Sequence, residues 1–322
     1  MASAALAAAY LLDLWVGDPP RLPHPVRLLG VMIGLLEKTA RRLFKTEAGL
    51  KSAGAAIVIL AAGGSALAAL IAVRAGYALH PLAGLILETY IFFSVLAGGD
   101  LHNHVFRVKQ NLEAGRLEEA RRSAAMLVSR DTGRLEEGGV SRAALESLFE
   151  NSADGLVAPL FFAAVGGPAA AVFYKAVSTL DSMIGYRTEK YKDLGFFAAK
   201  TDDILSFVPA RLTALLILFA GILRGGFKKG WQVLKADHDK HDSPNSAWPE
   251  AAGAGVLGLT LGGADLYGGT IVERPLINAA GREPGVDDLG EGLNLFRQTS
   301  LLSFILLITL AWWLRIGEVF TF

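Results

Sequence analysis

Four stretches of this sequence gather charged and polar residues at spacings that packing alone does not require. The first is Gly17-Asp18-Pro19-Pro20-Arg21-Leu22-Pro23-His24-Pro25-Val26-Arg27, with four prolines. Proline fixes φ and removes a backbone donor, so this is a stiff, non-helical turn. It would present Asp18, His24 and Arg27 to a substrate with little conformational freedom. A membrane-exit turn with a snorkelling Arg is the plainer alternative.

The second stretch runs from Arg130-Asp131-Thr132 to Arg142, Glu146, Glu150 and Asp154. The last four are spaced four apart, so a helix would place them on one face. Three stacked carboxylates repel one another. A divalent ion with oxygen ligands would relieve that, and Mg²⁺ is commonly held by one or two carboxylates plus substrate phosphates. A solvated acidic face is the competing reading. The third stretch holds Lys175, Asp181, Arg187, Lys190, Tyr191, Lys192, Asp202 and Asp203. It offers cations for phosphate and a vicinal acidic pair for metal. The fourth is Ser243-Pro244-Asn245-Ser246-Ala247-Trp248-Pro249-Glu250, where Trp248 is a fixed aromatic plate suited to a flat ligand, or an interfacial anchor. His238 and His241, beside Asp237, Asp239 and Asp242, could also bind a metal or form a solvated loop cluster.

Elements that must position these residues are mostly apolar helices. Of 322 residues, 52% are hydrophobic and only 19% charged, below the quarter or so usual in soluble domains. The 31 basic and 31 acidic residues cancel, which argues against a nucleic-acid partner. There is no Cys, so disulfides, thiolate catalysis and iron–sulfur clusters are excluded. A P-loop, HExxH and GxSxG motifs, and a GxGxxG that follows a strand, are absent. The N-terminus lacks a basic n-region and cleavage site, so Met1–Gly17 is expected to be retained.

A membrane helix needs about 20 mainly apolar residues. Ser52–Val73, Ala75–Gly99, Ile204–Leu223 and Gln298–Leu314 meet this, the first two as a tight hairpin and the third bent by Pro209. Ser3–Val16 is short. Gly155–Tyr174 is interrupted at Gly166-Gly167-Pro168, which predicts two helices with a break. Ala251–Leu261, rich in Gly and Ala, is expected to pack closely on other helices. The resulting expectation is an all-α, polytopic integral membrane helical bundle with short re-entrant or broken helices. Residues 1–322 form a single polytopic membrane domain, with 100–154 a largely helical polar loop within it. Arg41, Arg42 and Lys45 place their loop in the cytoplasm by the positive-inside rule, and counting across the hairpin puts 100–154 on the same side. Spacing alone therefore leads to a membrane enzyme handling a phosphorylated ligand with Mg²⁺.

The same four stretches resemble those of the CobD/CbiB family, the membrane adenosylcobinamide-phosphate synthases of cobalamin biosynthesis. The likeness is carried by Asp13-Leu-Trp-Val-Gly-Asp-Pro-Pro-Arg-Leu-Pro-His-Pro-Val-Arg27, Ser129-Arg-Asp-Thr132, and Glu146-Ser-Leu-Phe-Glu-Asn-Ser-Ala-Asp-Gly155 with its continuation to Phe161. Tyr174-Lys-Ala-Val-Ser-Thr-Leu-Asp-Ser-Met-Ile-Gly-Tyr-Arg187, Asp202-Asp203, Pro209-Ala-Arg-Leu-Thr213 and the Ser243–Glu250 stretch complete it. The order is kept from about Leu11 to Pro284. Ser152 and Ser178 stand where the family often has Thr and Asn.

The resemblance implies ATP-dependent amidation: a propionate of adenosylcobyric acid is joined to aminopropanol or its O-phosphate, giving adenosylcobinamide phosphate. ATP would be co-substrate and Mg²⁺ the cofactor, with the lipid bilayer as surroundings and other late cobalamin-pathway membrane enzymes as partners. The setting would be the cell inner membrane, with the active site facing the cytoplasm. Catalysis is expected of Asp181, Arg187, Lys175, Arg130 and Asp131. Substrate binding is expected of Asp18, His24, Arg27, Asn151, Tyr191, Asn245, Trp248 and Glu250. Metal binding is expected of Glu150, Asp154, Asp202 and Asp203. The competing classes are a transporter of a phosphorylated or corrinoid solute and a non-catalytic membrane sensor. Polar residues concentrated in loops, and the lack of an inverted repeat, count against the transporter.

Overall fold

A computed structural model describes residues 2–17, 25–186 and 188–319, with side chains up to residue 314. Asp18, His24 and Arg187 lie outside the described residues. Among the described residues the regular elements are helices apart from one small β-hairpin. Its helices are α1 (Ala2–Val16), α2 (Pro25–Leu43), α3 (Glu47–Val58), α4 (Gly64–Leu79), α5 (Pro81–Val95), α6 (Gly98–Glu113) and α7 (Leu117–Ala124). There follow α8 (Glu137–Ser152), α9 (Ala158–Ile184), α10 (Phe196–Leu205), α11 (Phe207–Ala220), α12 (Phe227–Asp237), α13 (Ala247–Leu257), strands β1 (Leu261–Tyr267) and β2 (Thr270–Ile277), and α14 (Val286–Val319).

Among the described residues, five helical segments are long and apolar enough to cross a membrane: Glu47–Leu79, Pro81–Glu113, Glu137–Ile184, Phe207–Arg224 and Val286–Leu314. Ile59, Leu67, Ile71, Leu82 and Ile86 on the first two are exposed, an arrangement costly in water and natural against acyl chains. This is a polytopic helical membrane protein.

The hairpin of the first two spans turns at His80-Pro81, not at Arg74 as the hydrophobic runs suggested. Pro81 begins α5, and the residue before a proline is driven to extended backbone, here φ −165° and ψ 139° at His80. His80 Nδ1 then accepts from the Leu82 amide (3.2 Å) and caps α5. Arg74 stays helical because an arginine in a helix costs little when its head group is exposed. Glu88 is buried in α5 but accepts from Tyr77 OH across the hairpin (2.7 Å).

Tertiary contacts group the chain into two units, each built from separate stretches. Unit 1 comprises Met1–Ala97, Ala158–Ser206 and Ile305–Phe322. Its core joins Leu29 and Ile33 of α2, Ile57 and Ala61 near α3, Val177, Leu180 and Ile184 of α9, and Leu194 and Ala198. The expected interruption is present within α9: Gly167 takes φ 66° and ψ −158°, which no helical residue adopts, directly before Pro168.

Unit 2 comprises Gly98–Val157 and Phe207–Phe304. Here α11, α12 and α13 pack on one another and α13 lies on α8. Helix α13 has only 11 residues and does not span; its small residues serve close packing, as expected. A Cβ at Gly253 would come within 2.7 Å of the Phe149 ring of α8. Pro209 falls in the first turn of α11, where its missing donor costs nothing, so it starts that span rather than bending it.

Strands β1 and β2 were not anticipated. They pair antiparallel, with Tyr267 opposite Thr270 and a register irregularity at Gly262/Gly263. The two-residue turn is Gly268-Gly269, both at positive φ (54° and 82°), the geometry that fits a tight hairpin's twist.

Candidate functional site

In unit 2 the second motif becomes a buried ion network. Arg130 donates to Glu146 and pairs through Nη1 with Asp265 Oδ2 at 2.8 Å. Arg142 Nη2 donates to Asp265 Oδ1 at 2.9 Å, and the Gly262 amide donates to Glu146 Oε1 at 2.6 Å. Side-chain exposure is only 4% for Arg130, 5% for Glu146 and 0% for Asp265. Burial works against the Arg130 charge, but Glu146 and Asp265 outweigh it and raise its pKa. Asp131 completes the grip: its amide donates to Leu266 O (2.7 Å) and its Oδ2 accepts from the Gly269 amide (3.0 Å). Arg130 and Asp131, expected to be catalytic, are thus bonded to the hairpin. They also border a cavity of about 690 Å³ formed by Val128–Arg134 with Leu266 and Gly269.

The acidic face read from the four-residue spacing is not one face. Glu146 has the partner that spacing could not show, Arg130. Glu150 accepts from Ser246 Oγ at 2.7 Å. Asp154 lies in a π turn, Ala153–Val157, whose wider winding breaks the four-residue register. Asn151 Nδ2 donates to Ser147 O (2.9 Å) and Ser147 Oγ (3.1 Å) on its own helix.

Ser243–Glu250 folds back on α8. Glu150, His241 and Glu250 each offer a ligand atom, all within 4.8 Å of one another. Glu250 is 4% exposed, and burial first, then Glu150 and Glu146, hold its carboxyl well above the usual range. Burial, then Arg274, lowers the His241 pKa. The Ser243 amide donates to His241 Nδ1 at 3.0 Å, which leaves Nε2 for another partner. His238 does not join this group: it stacks on Trp248 (4.5 Å, 15°). Asp237 instead accepts from the Asn278 amide (2.6 Å) and pairs with Lys240 (2.7 Å). Arg211 lies 4.4 Å from the Trp248 ring centroid and donates to Asn245 Oδ1 at 2.9 Å. The indole plate is therefore already engaged by two side chains of its own unit.

Unit 1 carries the third motif. Lys175 of α9 lines an apolar cavity of about 350 Å³ with Leu29, Ala69, Ile91 and Val172. Asp181 sits at the end of α9, and a Cβ at Gly185 would collide with its Oδ1, so only glycine leaves that carboxylate its place. Tyr191 accepts from Lys190 Nζ (2.6 Å) and lies beneath Arg41, whose guanidinium is 5.2 Å from the ring centroid. Asp202 accepts from Ser206 Oγ (3.4 Å), which contacts Tyr174 OH, while Asp203 pairs with Lys200 (3.4 Å). Neighbours on a helix point about 100° apart, so these two aspartates face different surroundings. Arg27 is exposed in the first turn of α2.

Residue-level reading missed His241 as a partner of Glu150 and Glu250, and it missed Asp265 and Arg274 altogether. The Gly-Gly pair in Tyr267-Gly268-Gly269-Thr270 was the available signal for the hairpin that carries the last two.

Fold and sites together define a helical membrane protein with buried polar clusters, a class wider than any one activity. Comparison narrows it. The model of the CobD/CbiB protein family matches residues 6–296, and the chain belongs to that family. It is 38% identical over 315 residues to the cobalamin biosynthesis protein CobD of Klebsiella pneumoniae, covering 96% of this chain and 98% of the relative. It is 45% identical over 277 residues to that of Geobacter metallireducens, covering 86% of each. The cobalamin biosynthesis protein CbiB of Salmonella arizonae is 38% identical over 314 residues, covering 96% of this chain and 98% of the relative. No solved structure matches it.

Proposed function

We propose that this protein acts in cobalamin biosynthesis as an ATP-dependent carbon–nitrogen ligase. It joins a propionate of adenosylcobyric acid to the amine of aminopropanol or its O-phosphate. The observation carrying this reading is the family match across residues 6–296, with relatives named for cobalamin biosynthesis along nearly their whole length.

A carboxylate resists attack by an amine because its charge repels nucleophiles and oxide is a poor leaving group. The propionate oxygen therefore attacks a phosphorus of ATP, giving an acyl-phosphate and ADP. The amine, having lost its ammonium proton, attacks the acyl carbon; phosphate leaves and the amide forms. Lys175 and Arg187 suit the phosphates, the first as a point charge and the second as a bidentate fork. Asp181, at the end of α9, orients that charged assembly. Mg²⁺ would supply charge neutralisation at the transferring phosphoryl group. Asp154, Asp202 and Asp203 have the hard oxygen donors it prefers. Glu150 fits it less well, since an imidazole is among its neighbours. Asp18, His24, Arg27, Asn151, Tyr191 and Asn245 stand as substrate contacts. Trp248 and Glu250 belong with them through the Ser243–Glu250 loop. The setting is the cell inner membrane with the polar segments toward the cytoplasm, supported by the basic run at Arg41, Arg42 and Lys45.

The test is direct. Protein reconstituted in liposomes is given ATP, Mg²⁺, adenosylcobyric acid and aminopropanol O-phosphate, with ethanolamine phosphate and threonine phosphate as competitors. Mass spectrometry should detect the condensed corrinoid together with ADP. Corrinoid uptake without ATP turnover would replace the ligase by a transporter.

A further inference from the structure

The three ligand atoms of Glu150, His241 and Glu250 lie within 4.8 Å of one another, yet no hydrogen bond or ion pair joins any two of these residues. Glu150 is held by Ser246 and His241 by the Ser243 amide, both from the same loop. Glu250, 4% exposed, makes no hydrogen bond or salt bridge with any described residue. A buried carboxylate without a partner is costly, and structures tolerate one where a ligand completes it. The surrounding cations do not complete it. Arg130 is spent on Glu146 and Asp265, Arg142 on Asp265, and Arg274 donates to Tyr267 OH at 2.6 Å.

Donors that surround one point without touching each other are spaced as ligands around an ion. Metal bonds of about 2.0–2.3 Å put two donors at most about 4.6 Å apart, which small side-chain rotations reach from here. The donor set also states a preference. Carboxylate oxygens alone suit Mg²⁺, whereas an imidazole beside them suits first-row transition ions. We infer that Glu150, His241 and Glu250 form a transition-metal site of unit 2, taking Zn²⁺ or Mn²⁺ ahead of Mg²⁺. The inference concerns metal content, so it stands or falls separately from the ligase reading. The side chains come from α8, from the loop after α12 and from the first turn of α13. An ion here would tie the Ser243–Glu250 loop to α8 as a cross-link does.

The experiment uses full-length protein purified in detergent through a tag without histidines, stripped with EDTA and desalted. Zn²⁺, Mn²⁺ and Mg²⁺ are added singly, and bound metal is measured by equilibrium dialysis with elemental analysis. The expected result is one Zn²⁺ or Mn²⁺ per chain, with Mg²⁺ bound at least about 100-fold more weakly. His241→Asn and Glu250→Gln, close to isosteric, should each remove this binding, while Asp203→Asn should leave it unchanged. A second readout guards against misfolded variants: the wild-type thermal midpoint should rise with Zn²⁺ or Mn²⁺ and stay level with Mg²⁺ at equal concentration. The inference is overturned by wild-type protein that binds neither transition ion stoichiometrically, or by binding that survives both substitutions. A thermal midpoint raised only by an aliphatic amine would overturn it too, because the cluster would then be an ammonium pocket.

Discussion

Removing the Arg130 guanidinium is the most informative single perturbation, because sequence and structure assign it different work. Arg130→Met keeps much of the apolar stem and deletes the charge. Glu146 and Asp265, 5% and 0% exposed at their side chains, then lose their shared partner. Breaking a buried pair from one side typically costs about 3–5 kcal/mol, because the remaining charge stays buried. Arg142 still contacts Asp265 at 2.9 Å and lies 3.9 Å from Glu146, which favours the lower end of that range. At roughly 2 °C per kcal/mol, a loss of about 3 kcal/mol lowers the thermal midpoint by about 6 °C. Thermal unfolding in detergent, followed by circular dichroism, measures this. The double variant Arg130→Met with Glu146→Gln should recover part of the loss, since one stranded charge is gone. A midpoint within 1 °C or so of wild type, together with abolished turnover, would refute the clamping role and return Arg130 to catalysis.

Three further substitutions have definite expected outcomes. Asp181→Asn, nearly isosteric, should abolish condensation while the protein still inserts and unfolds normally, and Arg187→Lys should be poorly tolerated because a point charge cannot reproduce a planar fork. Turnover per folded molecule, measured against Mg²⁺ concentration, checks both; a wild-type rate with lowered stability would make Asp181 a structural partner only. Gly253→Ala brings a methyl within 2.7 Å of the Phe149 ring and should cost about 1–3 kcal/mol by overpacking. The thermal midpoint reads that loss, and an unchanged value would mean that α13 and α8 are not held at that distance.

Membrane character was legible because a span is a local property: about 20 apolar residues suffice, whatever surrounds them. The break at Gly166-Gly167-Pro168 was legible for the same reason, since glycine and proline act on their own φ and donors. So were the four motif stretches and the family they point to, which are linear patterns. Partnership was not legible. Glu146, Glu150 and Asp154 looked like one unpaired acidic face because helical spacing sees only neighbours three or four residues away. Arg130 reaches Glu146 from a preceding loop, the hairpin brings Asp265 between Arg130 and Arg142, and a π turn removes Asp154 from the line. His238 and His241 looked like a pair for being three apart, yet tertiary folding stacks one on Trp248 and sends the other to Glu150 and Glu250. Composition and local pattern determine where a chain must be helical and apolar. Which buried charge meets which is decided by long-range packing, because the cost of an unpaired charge is settled only once every neighbour is in place.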